Sequence, residues 1–542
     1  MFSTGDSKTD YLLTNQHSWT GTSGQSATIH YSWSLPAMAW IEDSSVREQA
    51  KGKLVDGKDA VLSSVSLDAS VDVLGLVLEQ FSNVANINFT VTADPTITAQ
   101  IAYRAAELNS PSKAITATPN DGNSIIEWAG VILDPDHVNG PTIDAEEFYI
   151  ILHETGHALG LSHPDARGVY TNQNAMGKLD GTIMVQSGDD SGDYARDEEI
   201  TGLQFYDIIA LQYLYGANYN YNAGDTTYSF DGVDDMATTI WDGGGIDTFD
   251  TTSYSGVENV IVDLREGVEH VSLIGKGLDA VGAEVPQNTI WIAKGANIEN
   301  AITGSGNDTI SGNGLGNLLI TGGGVDVVVG NGGDDTLIGS AGADELQGGD
   351  GDDVLIGYTV DPVTLAESDD GAADFLQGNA GNDLILGGDG NDTLAGGAND
   401  DNLQGGAGND TLIGGTGDDV LDGGSGTNAL EGGIGNDTYI LPLSGSGFST
   451  VNDDGRGDAN SFEMDALSDI GGVFVGSGGV YDLGLATLTL SGSTLNISGA
   501  VQASILNFQN GDSLPRSGAA AWGNQKNAAN DNTTVFFNLL AA

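Results

Sequence analysis

Residues 150–164 read I-I-L-H-E-T-G-H-A-L-G-L-S-H-P and contain three histidines spaced for a metal ion. His153 and His157 are four residues apart, so on a helix both imidazoles lie on one face, one turn apart. Gly160 can end that helix in a left-handed turn at low steric cost, which brings His163 back toward the first two rings. Three such ligands are typical of a zinc site whose fourth position stays open to water. We therefore interpret the three histidines as zinc ligands.

Glu154 directly follows the first of these histidines, so on a helix it projects about 100° away from it. A carboxylate there can accept a proton from water at the open position, and we assign Glu154 as the general base. The alternative is an ordinary amphipathic helix that carries incidental histidines. The glycine and the third histidine of the motif favour a metal site over that alternative.

The composition favours divalent cations as partners. The chain has 542 residues and a formal net charge of −61, from 77 acidic and 16 basic residues. Nucleic acid and anionic membranes are poor partners for such a chain. It has no cysteine, which excludes disulfides and thiol catalysis. No apolar run reaches the about 20 residues of a membrane helix, and the first residues do not resemble a Sec-type signal peptide. We expect no membrane insertion, and a monomer.

The segment before residue 217 mixes helix and strand patterns. Apolar positions at helical spacing predict helices over 68–81 and 203–216, in addition to the histidine-bearing helix. Strands are predicted over 27–33, 87–91, 101–103 and 125–133. This combination predicts an α+β catalytic domain. Within it, Ile125 to Gly130 is our candidate for the edge strand beside which an extended substrate lies.

From about residue 304 to 439 the chain repeats every nine residues on the pattern G-G-x-G-x-D-x-apolar-x, and residues 405–413 are a full copy. The pattern predicts an all-β parallel β-roll in which aspartates and turn carbonyls bind calcium between successive turns. The predicted calcium ligands keep one register, with Asn317 and Asn428 at two of its positions. They are Asp308, Asp326, Asp335, Asp344, Asp353, Asp374, Asp383, Asp392, Asp401, Asp410, Asp419 and Asp437.

No Lys or Arg occurs from Gly295 to Gly455, so the aspartates of the repeats have no basic counter-ions within this segment. We therefore expect the roll to remain unfolded without calcium. A flexible glycine-rich linker is the alternative. Linkers do not keep an apolar residue two positions after each aspartate, so the pattern favours the roll.

The predicted organisation has five parts, ending in a β-rich cap. Residues 1–25 form a tail or short prosegment and residues 26–217 the metalloprotease domain. Residues 218–300 form a β-rich junction and residues 301–440 the calcium roll. The last part, residues 441–542, combines the cap with an expected uncleaved C-terminal export signal.

The combination resembles the serralysins, secreted bacterial endopeptidases with a C-terminal calcium roll, over most of residues 27–440. The histidine segment reads H-E-x-x-H-x-x-G-x-x-H, the zinc signature of the metzincin clan to which that family belongs. Further support comes from Tyr206 to Asn218, Trp241 to Asp250, Ile298 to Ile302 and the nonamers. The resemblance implies one catalytic zinc ion, several structural calcium ions, hydrolysis of protein or peptide substrates, and export to the extracellular medium by a type I secretion system that reads the C-terminus.

The resemblance also bears on the segment that follows the third histidine. Met184 corresponds to the methionine turn that supports the zinc site in metzincins. Serralysins typically have a tyrosine two residues further on, where this chain has Gln186. An amide is a poor zinc ligand but can donate a hydrogen bond, so we interpret Gln186 as an oxyanion or substrate contact.

A second interpretation of the whole chain remains open. It is a calcium-dependent surface or matrix protein with a degenerate protease-like domain, since such repeats also serve in proteins of that kind. The intact set of three histidines and Glu154 favours the enzyme, because a domain freed from catalysis has no reason to keep the base.

Overall fold

The computed structural model describes residues 24–32, 73–91, 101–105, 114–117, 129–133, 145–163, 182–184, 199–200, 202–230, 236–253, 259–267, 272–274, 277–278, 284–285, 288–360, 367–441, 448–452, 461–464, 480–482, 486–491, 494–499 and 503–506. They fall into two compact units. The first lies within Met1–Thr226, Gly232–Asp247 and Glu266–Ile298, and the second within Thr227–Asp231, Thr248–Arg265 and Glu299–Ala542. The five-part division stays a prediction.

The first unit contains a five-stranded sheet and helices that pack around it. The strands are β1 (Ala27–Ser32), β2 (Ile87–Val91), β3 (Ile101–Ala105), β4 (Ala114–Ala117) and β5 (Ala129–Leu133). The helices are α1 (Val73–Val84), α2 (Ala145–Ala158) and α3 (Phe205–Tyr215). The predicted strands and helices are confirmed where they fall on described residues. The first helix continues three residues past its predicted end, to Val84.

The edge of this sheet differs from the prediction. The strand order is β2-β1-β3-β5-β4, with β4 antiparallel to β5 and the other pairs parallel. Because β5 pairs with β3 on one side and β4 on the other, it has no free edge. The prediction that residues 125–130 offer an edge to substrate is therefore wrong for Ala129 and Gly130, and residues 125–128 lie outside the described residues. Among the described strands, the two edges of this sheet are β2 and β4.

Helix α2 is fixed by buried hydrogen bonds from both sides. The hydroxyl of Tyr103 on β3 donates to Thr155 Oγ1 at 3.1 Å, and Thr155 in turn donates to the carbonyl of Ile151 at 2.7 Å. The hydroxyl of Tyr215 on α3 donates to the carbonyl of Leu159 at 2.7 Å. Ile151 and Leu159 are themselves buried. These contacts fix the position of the helix that carries the first two histidines.

Short strands follow, divided between the two units. They are β6 (Glu199–Ile200), β7 (Thr227–Ser229), β8 (Met236–Ile240), β9 (Thr248–Asp250), β10 (Ile261–Asp263), β11 (Ser272–Ile274), β12 (Gly277–Leu278), β13 (Glu284–Val285) and β14 (Asn288–Ile292). In the first unit β6, β8, β14 and β11 pair in that order, and β12 pairs with β13 as a hairpin. In the second unit β9 pairs with Asn300–Ile302 and β10 pairs with Thr309–Ser311, both at the start of the repeat region.

The repeat region is a parallel β-solenoid with two rows of strands, as the nonamer pattern predicts. The strands are β15 (Asn300–Ile302), β16 (Thr309–Ser311), β17 (Leu318–Ile320), β18 (Val327–Gly332), β19 (Thr336–Ile338), β20 (Glu345–Asp350), β21 (Val354–Ile356), β22 (Thr359–Val360), β23 (Glu367–Ser368), β24 (Phe375–Ala380), β25 (Leu384–Gly390), β26 (Thr393–Ala398), β27 (Asn402–Gly408), β28 (Thr411–Thr416), β29 (Val420–Asp422), β30 (Thr427–Ile434) and β31 (Thr438–Leu441). Row one runs β16-β18-β20-β24-β26-β28-β30, and row two runs β15-β17-β19-β21-β25-β27-β29-β31.

Alternate nonamers lie in opposite rows, so one turn of the solenoid consumes two repeats. The apolar position of each repeat points inward and is buried. In row one these residues are Ile310, Val328, Leu346, Leu376, Leu394, Leu412 and Leu430. In row two they are Ala301, Leu319, Leu337, Leu355, Ile385, Leu403, Leu421 and Tyr439. Two facing ladders of apolar side chains therefore form the core.

One turn of the solenoid is longer than the rest. Asp335 and Asp353 are 18 residues apart and adjacent in row two, whereas the next pair, Asp353 and Asp383, is 30 apart, an excess of 12. Part of the extra chain forms a two-stranded antiparallel hairpin of β22 and β23. Strand pairing continues across the insertion, since β20 pairs with β24 and β21 with β25.

Further β-structure follows the roll. The strands are β32 (Phe448–Asn452), β33 (Ser461–Met464), β34 (Val480–Asp482), β35 (Ala486–Ser491), β36 (Thr494–Gly499) and β37 (Ala503–Leu506). β34 to β37 form an antiparallel meander, while β32 and β33 extend rows one and two. The predicted fold class, an α+β domain followed by a parallel β-roll and a β-rich cap, is confirmed. Within the described part of the chain, no helix is long and apolar enough to cross a membrane.

Candidate functional site

The three motif histidines converge at the end of α2. His153 and His157 lie on successive turns of the helix, and Gly160, with φ of 104°, turns the chain so that His163 faces both. The Nε2 atom of His163 lies 3.0 Å from Nε2 of His153 and 3.0 Å from Nε2 of His157. The three candidate ligand nitrogens, one from each ring, all lie within 4.8 Å of one another. The structure thus brings together the three predicted zinc ligands.

The remaining ring nitrogens of two of these histidines are already engaged. Nδ1 of His153 lies 2.7 Å from the carbonyl oxygen of Ile183, and Nδ1 of His157 lies 2.8 Å from that of Leu161. A carbonyl only accepts, so each Nδ1 carries the proton and each Nε2 presents a lone pair. Two Nε2 atoms that present lone pairs, together with the Nε2 of a third imidazole 3.0 Å from each, are a donor set that fits zinc.

The electrostatic environment of His157 also suits a ligand. Burial lowers the pKa of His157 below its usual value, against a smaller opposing effect of the hydrogen bond to the Leu161 carbonyl. The neutral imidazole, which is the metal-binding form, is therefore favoured at this position.

Met184 lies beneath the helix turn that separates the first two histidines. It is fully buried, and a Cβ atom on Gly156 of α2 would lie 2.8 Å from its sulfur. The absence of a side chain at position 156 thus lets the methionine approach the helix closely. The supporting role of Met184 stays a prediction. Gln186, the predicted oxyanion or substrate contact, lies outside the described residues.

The carboxylate of Glu154 is buried and has a partner that the sequence did not reveal. Thr116 Oγ1 on β4 lies 2.6 Å from Glu154 Oε2 and 2.9 Å from the backbone carbonyl oxygen of the same residue. The hydroxyl can donate to only one of these acceptors at a time. Nothing in the run A-I-T-A at residues 114–117 signals a strand or a contact with the base. The contact links the edge strand directly to the predicted general base.

All the predicted calcium-ligating aspartates lie in two buried ladders, one along each row. In each ladder, the backbone N–H of one position donates to a side-chain Oδ1 of the next turn, at 2.7 to 3.1 Å. Among the described residues, the second carboxylate oxygen, Oδ2, is buried and has no hydrogen-bond partner in Asp308, Asp326, Asp335, Asp344, Asp353, Asp383, Asp392, Asp401, Asp410 and Asp419. Asp374 and Asp437 occupy the same buried ladder positions.

Glycine carbonyls lie beside these oxygens. Next to Gly330, for example, Asp335 Oδ2 and the carbonyl oxygen of Gly348 lie so close that a Cβ on Gly330 would overlap them. Similar pairs surround Gly378, Gly396 and Gly414. Carboxylate and carbonyl oxygens are the ligands that calcium prefers, so the donor set fits Ca²⁺.

Burial raises the pKa of the ladder aspartates from Asp308 to Asp419. Desolvation is the largest cause for each of these aspartates, and a backbone N–H bond opposes it. The pKa rises to about 8 for Asp335, Asp344 and Asp401 and to about 7 for Asp353 and Asp374. It rises to about 6 for Asp326, Asp383, Asp392, Asp410 and Asp419. A bound cation would offset this cost of ionisation.

The two asparagines of the register differ from each other. Asn428 Oδ1 accepts the N–H of Asp410 at 2.9 Å, so its Nδ2 is turned to the carbonyl of Gly423 at 2.6 Å. Asn317 Oδ1 accepts from the N–H of Asn313 at 2.8 Å, and its oxygen lies beside Gly312 in the same way as the aspartate oxygens. The amide of Asn428 therefore places a donor where the other turns place an acceptor.

The three-histidine motif and the aspartate-lined roll together make this chain a candidate metalloprotein with calcium-binding repeats. A family model described as "RTX calcium-binding nonapeptide repeat (4 copies)" matches residues 302–337, 320–355, 369–403 and 404–439. The predicted calcium-binding repeats are thereby confirmed.

Curated relatives match a longer part of the chain. The chain is 30% identical to metallopeptidase AprA of Pseudomonas marginalis over 270 residues, 45% of this chain and 54% of that protein. It is 37% identical to serralysin of Proteus mirabilis over 195 residues, 31% and 36% of the two chains. It is 34% identical to serralysin B of Dickeya chrysanthemi over 267 residues, 43% and 51%. The chain thus spans about half or less of the length of these relatives, and the predicted similarity to serralysins is confirmed.

Proposed function

We propose that this chain is a secreted zinc-dependent endopeptidase that hydrolyses internal peptide bonds of proteins and is folded and stabilised by calcium. The observation that carries the proposal is the convergence of three imidazole Nε2 atoms at the end of the helix that bears Glu154, with two 3.0 Å separations between them. Similarity to proteins named metallopeptidase AprA and serralysin supports the same reaction class.

The protein groups have separable roles in this proposal. His153, His157 and His163 hold zinc, which when bound supplies a Lewis acid that polarises the scissile carbonyl and lowers the pKa of water. Glu154 accepts the proton of the attacking water and delivers it to the leaving amine. Thr116 orients the Glu154 carboxylate through the 2.6 Å contact with Oε2. Met184 supports the histidines from below, and Gln186 contacts the substrate or the oxyanion.

Strand β4 is our candidate for the substrate-binding edge. Among the described strands it pairs only with β5, so its other side offers backbone donors and acceptors to an extended peptide. The 2.6 Å contact between Thr116 Oγ1 on this strand and Glu154 Oε2, the proposed base, supports this choice. A substrate aligned as an additional strand would therefore present its backbone carbonyls beside the three histidines.

We propose that the roll controls when such an enzyme folds. Its ladder aspartates are the proposed calcium ligands, and low calcium in the cytosol would leave the roll unfolded until the protein is exported. We propose export by a type I secretion system that reads the C-terminus, followed by action as an extracellular monomer. This order would limit digestion of the producing cell by its own enzyme.

The test compares the full-length wild type with Glu154→Gln, in calcium, with casein as substrate. We expect the variant to keep its zinc content by elemental analysis and to lose activity by a factor on the order of 10² to 10⁴, because it lacks the base. Glu79→Gln, which alters an exposed carboxylate on α1, is the matched control and should keep full activity. Undiminished hydrolysis by Glu154→Gln, or zinc-free wild-type protein that still cleaves casein, would contradict the proposal.

A further inference from the structure

Asp207, on the first turn of α3, binds the segment Thr182 to Met184 through its side chain. Its carboxylate is fully buried. Oδ1 accepts a hydrogen bond from Thr182 Oγ1 at 2.5 Å, and Oδ2 accepts from the backbone N–H of Ile183 at 2.7 Å and of Gln204 at 3.0 Å. Only the last of these bonds serves the start of the helix. The other two join α3 to the segment beneath the histidines.

That segment in turn contacts a predicted metal ligand. The carbonyl oxygen of Ile183 accepts from Nδ1 of His153 at 2.7 Å and from the hydroxyl of Tyr149 at 2.7 Å. Thr182 Oγ1, while donating to Asp207, also accepts the N–H of Met184 at 3.0 Å. The Asp207 carboxylate therefore fixes two parts of the site. It holds the Ile183 backbone that orients the His153 imidazole, and through Thr182 it holds Met184, which supports the three histidines.

We propose that Asp207 is a positioning residue for the metal centre, acting through Ile183 on His153 and through Thr182 on Met184. This inference rests on the proposed zinc-binding function. A carboxylate suits the role because three donors converge on its two oxygens. An amide has one oxygen and turns an NH₂ group toward at least one of those donors, which leaves a buried clash. A role limited to capping α3 would require only the bond from Gln204.

The experiment measures zinc affinity of the full-length, calcium-loaded protein by competition with a chromophoric chelator. We expect Asp207→Asn to weaken zinc binding by about 10- to 100-fold, the usual effect of losing a group that orients a ligand. Its kcat on a peptide should fall with little change in KM, because substrate contacts are retained.

Two further sets of variants make the result specific. Thr182→Val removes one of the bonds to Asp207 and should weaken zinc binding, whereas Thr182→Ser keeps the hydroxyl and should restore it. Gln212→Ala is the matched control on the same helix. The Gln212 side chain donates to the carbonyl of Val84 at 3.2 Å, away from the metal segment, so its loss should leave zinc affinity unchanged.

The outcomes separate this inference from the proposed function. If the wild type binds no zinc, the proposed function fails. If the wild type binds zinc and Asp207→Asn binds it equally well, the positioning role alone is overturned. If Asp207→Asn does not fold, shown by the loss of a cooperative thermal transition, the two Thr182 variants decide. Equal zinc affinity of Thr182→Val and Thr182→Ser would then refute the role.

Discussion

Removal of calcium should make folding of the roll depend strongly on pH. The ten ladder aspartates with pKa values of about 6 to 8 are buried, and burial is the main cause of each shift. From these values, roughly eight of the ten are ionised at pH 8 in a calcium-free roll and fewer than about one at pH 5.

The sign of the effect follows from proton binding. In the unfolded chain aspartates have a pKa of about 3.9, so above pH 6 they hold almost no protons, whereas the folded calcium-free roll still holds several. Stability therefore rises as pH falls, by about 1.4 kcal/mol per pH unit for each additional proton bound. The stabilisation of the folded roll by these bound protons is fully present only at pH values below the unfolded pKa. It is lost as pH rises through the folded pKa values, from about 6 to 8.

The assay is far-ultraviolet circular dichroism of the full-length protein in a calcium chelator, titrated between pH 8 and pH 5. We expect strand signal to be low at pH 8 and to increase toward pH 5, and to be nearly independent of pH in saturating calcium. A calcium-free protein whose strand signal is the same at both pH values, or falls as the pH is lowered, would refute the reasoning.

Variants can assign the effect to the buried ladders. Asp335→Asn, Asp344→Asn and Asp401→Asn together replace the three carboxylates of highest pKa with neutral groups that keep the ladder acceptor, as Asn428 does at 2.9 Å. This triple variant should keep strand signal to higher pH than the wild type in the absence of calcium.

The matched control removes equal charge from the exposed side of the turns. Asp334, Asp352 and Asp400 each precede a ladder aspartate and are exposed. Changing all three to asparagine should move the folding midpoint much less, because these side chains are solvated. An equal shift in both triple variants would show that net charge, rather than burial, controls the transition.

Two further predictions concern single side chains. Thr116→Val should lower kcat on a peptide substrate about 10- to 100-fold, because Glu154 loses a hydrogen bond worth about 1.5–3 kcal/mol to a charged group, while Thr116→Ser should retain activity. Equal activity of the two variants would remove Thr116 from the mechanism. Asn428→Asp should increase bound calcium by about one ion per chain, measured by equilibrium dialysis and elemental analysis, because it replaces an N–H donor with a carboxylate oxygen. An unchanged number of bound calcium ions would show that the Asn428 amide is not what prevents calcium binding at this turn.

The roll could be predicted closely because its determinants are local and repeated. Each nonamer carries its turn glycines, its buried aspartate and its inward apolar residue, so the register from Asp308 to Asp437 follows from spacing alone. The division into two rows could not be predicted from the spacing, because a nine-residue period is compatible with either one or two repeats per turn of the solenoid. The hydrogen bonds between positions 18 residues apart settle this, as from Asp308 to Asp326.

The metal site was predictable where its residues are close in sequence. His153, His157 and His163 lie within one helix and the following turn, so their convergence follows from helix geometry and a glycine with positive φ. Thr116 and Asp207 were missed because their contacts depend on tertiary packing. Thr116 lies 38 residues from Glu154, and Asp207 lies 25 and 24 residues from Thr182 and Ile183. The edge strand was assigned to the wrong segment for the same reason, since pairing order is not encoded in any one strand.

The hairpin inserted between β21 and β24 has a practical consequence. The aspartate ladder crosses the longer turn with an ordinary bond, since the N–H of Asp344 donates to Asp374 Oδ1 at 2.8 Å despite the 30-residue separation. Stacking of the solenoid turns is therefore insensitive to the length of the segment that is inserted between β21 and β24. Chain length can vary here in evolution, and an engineer could graft a peptide or a small domain onto the tip without disturbing the coils on either side.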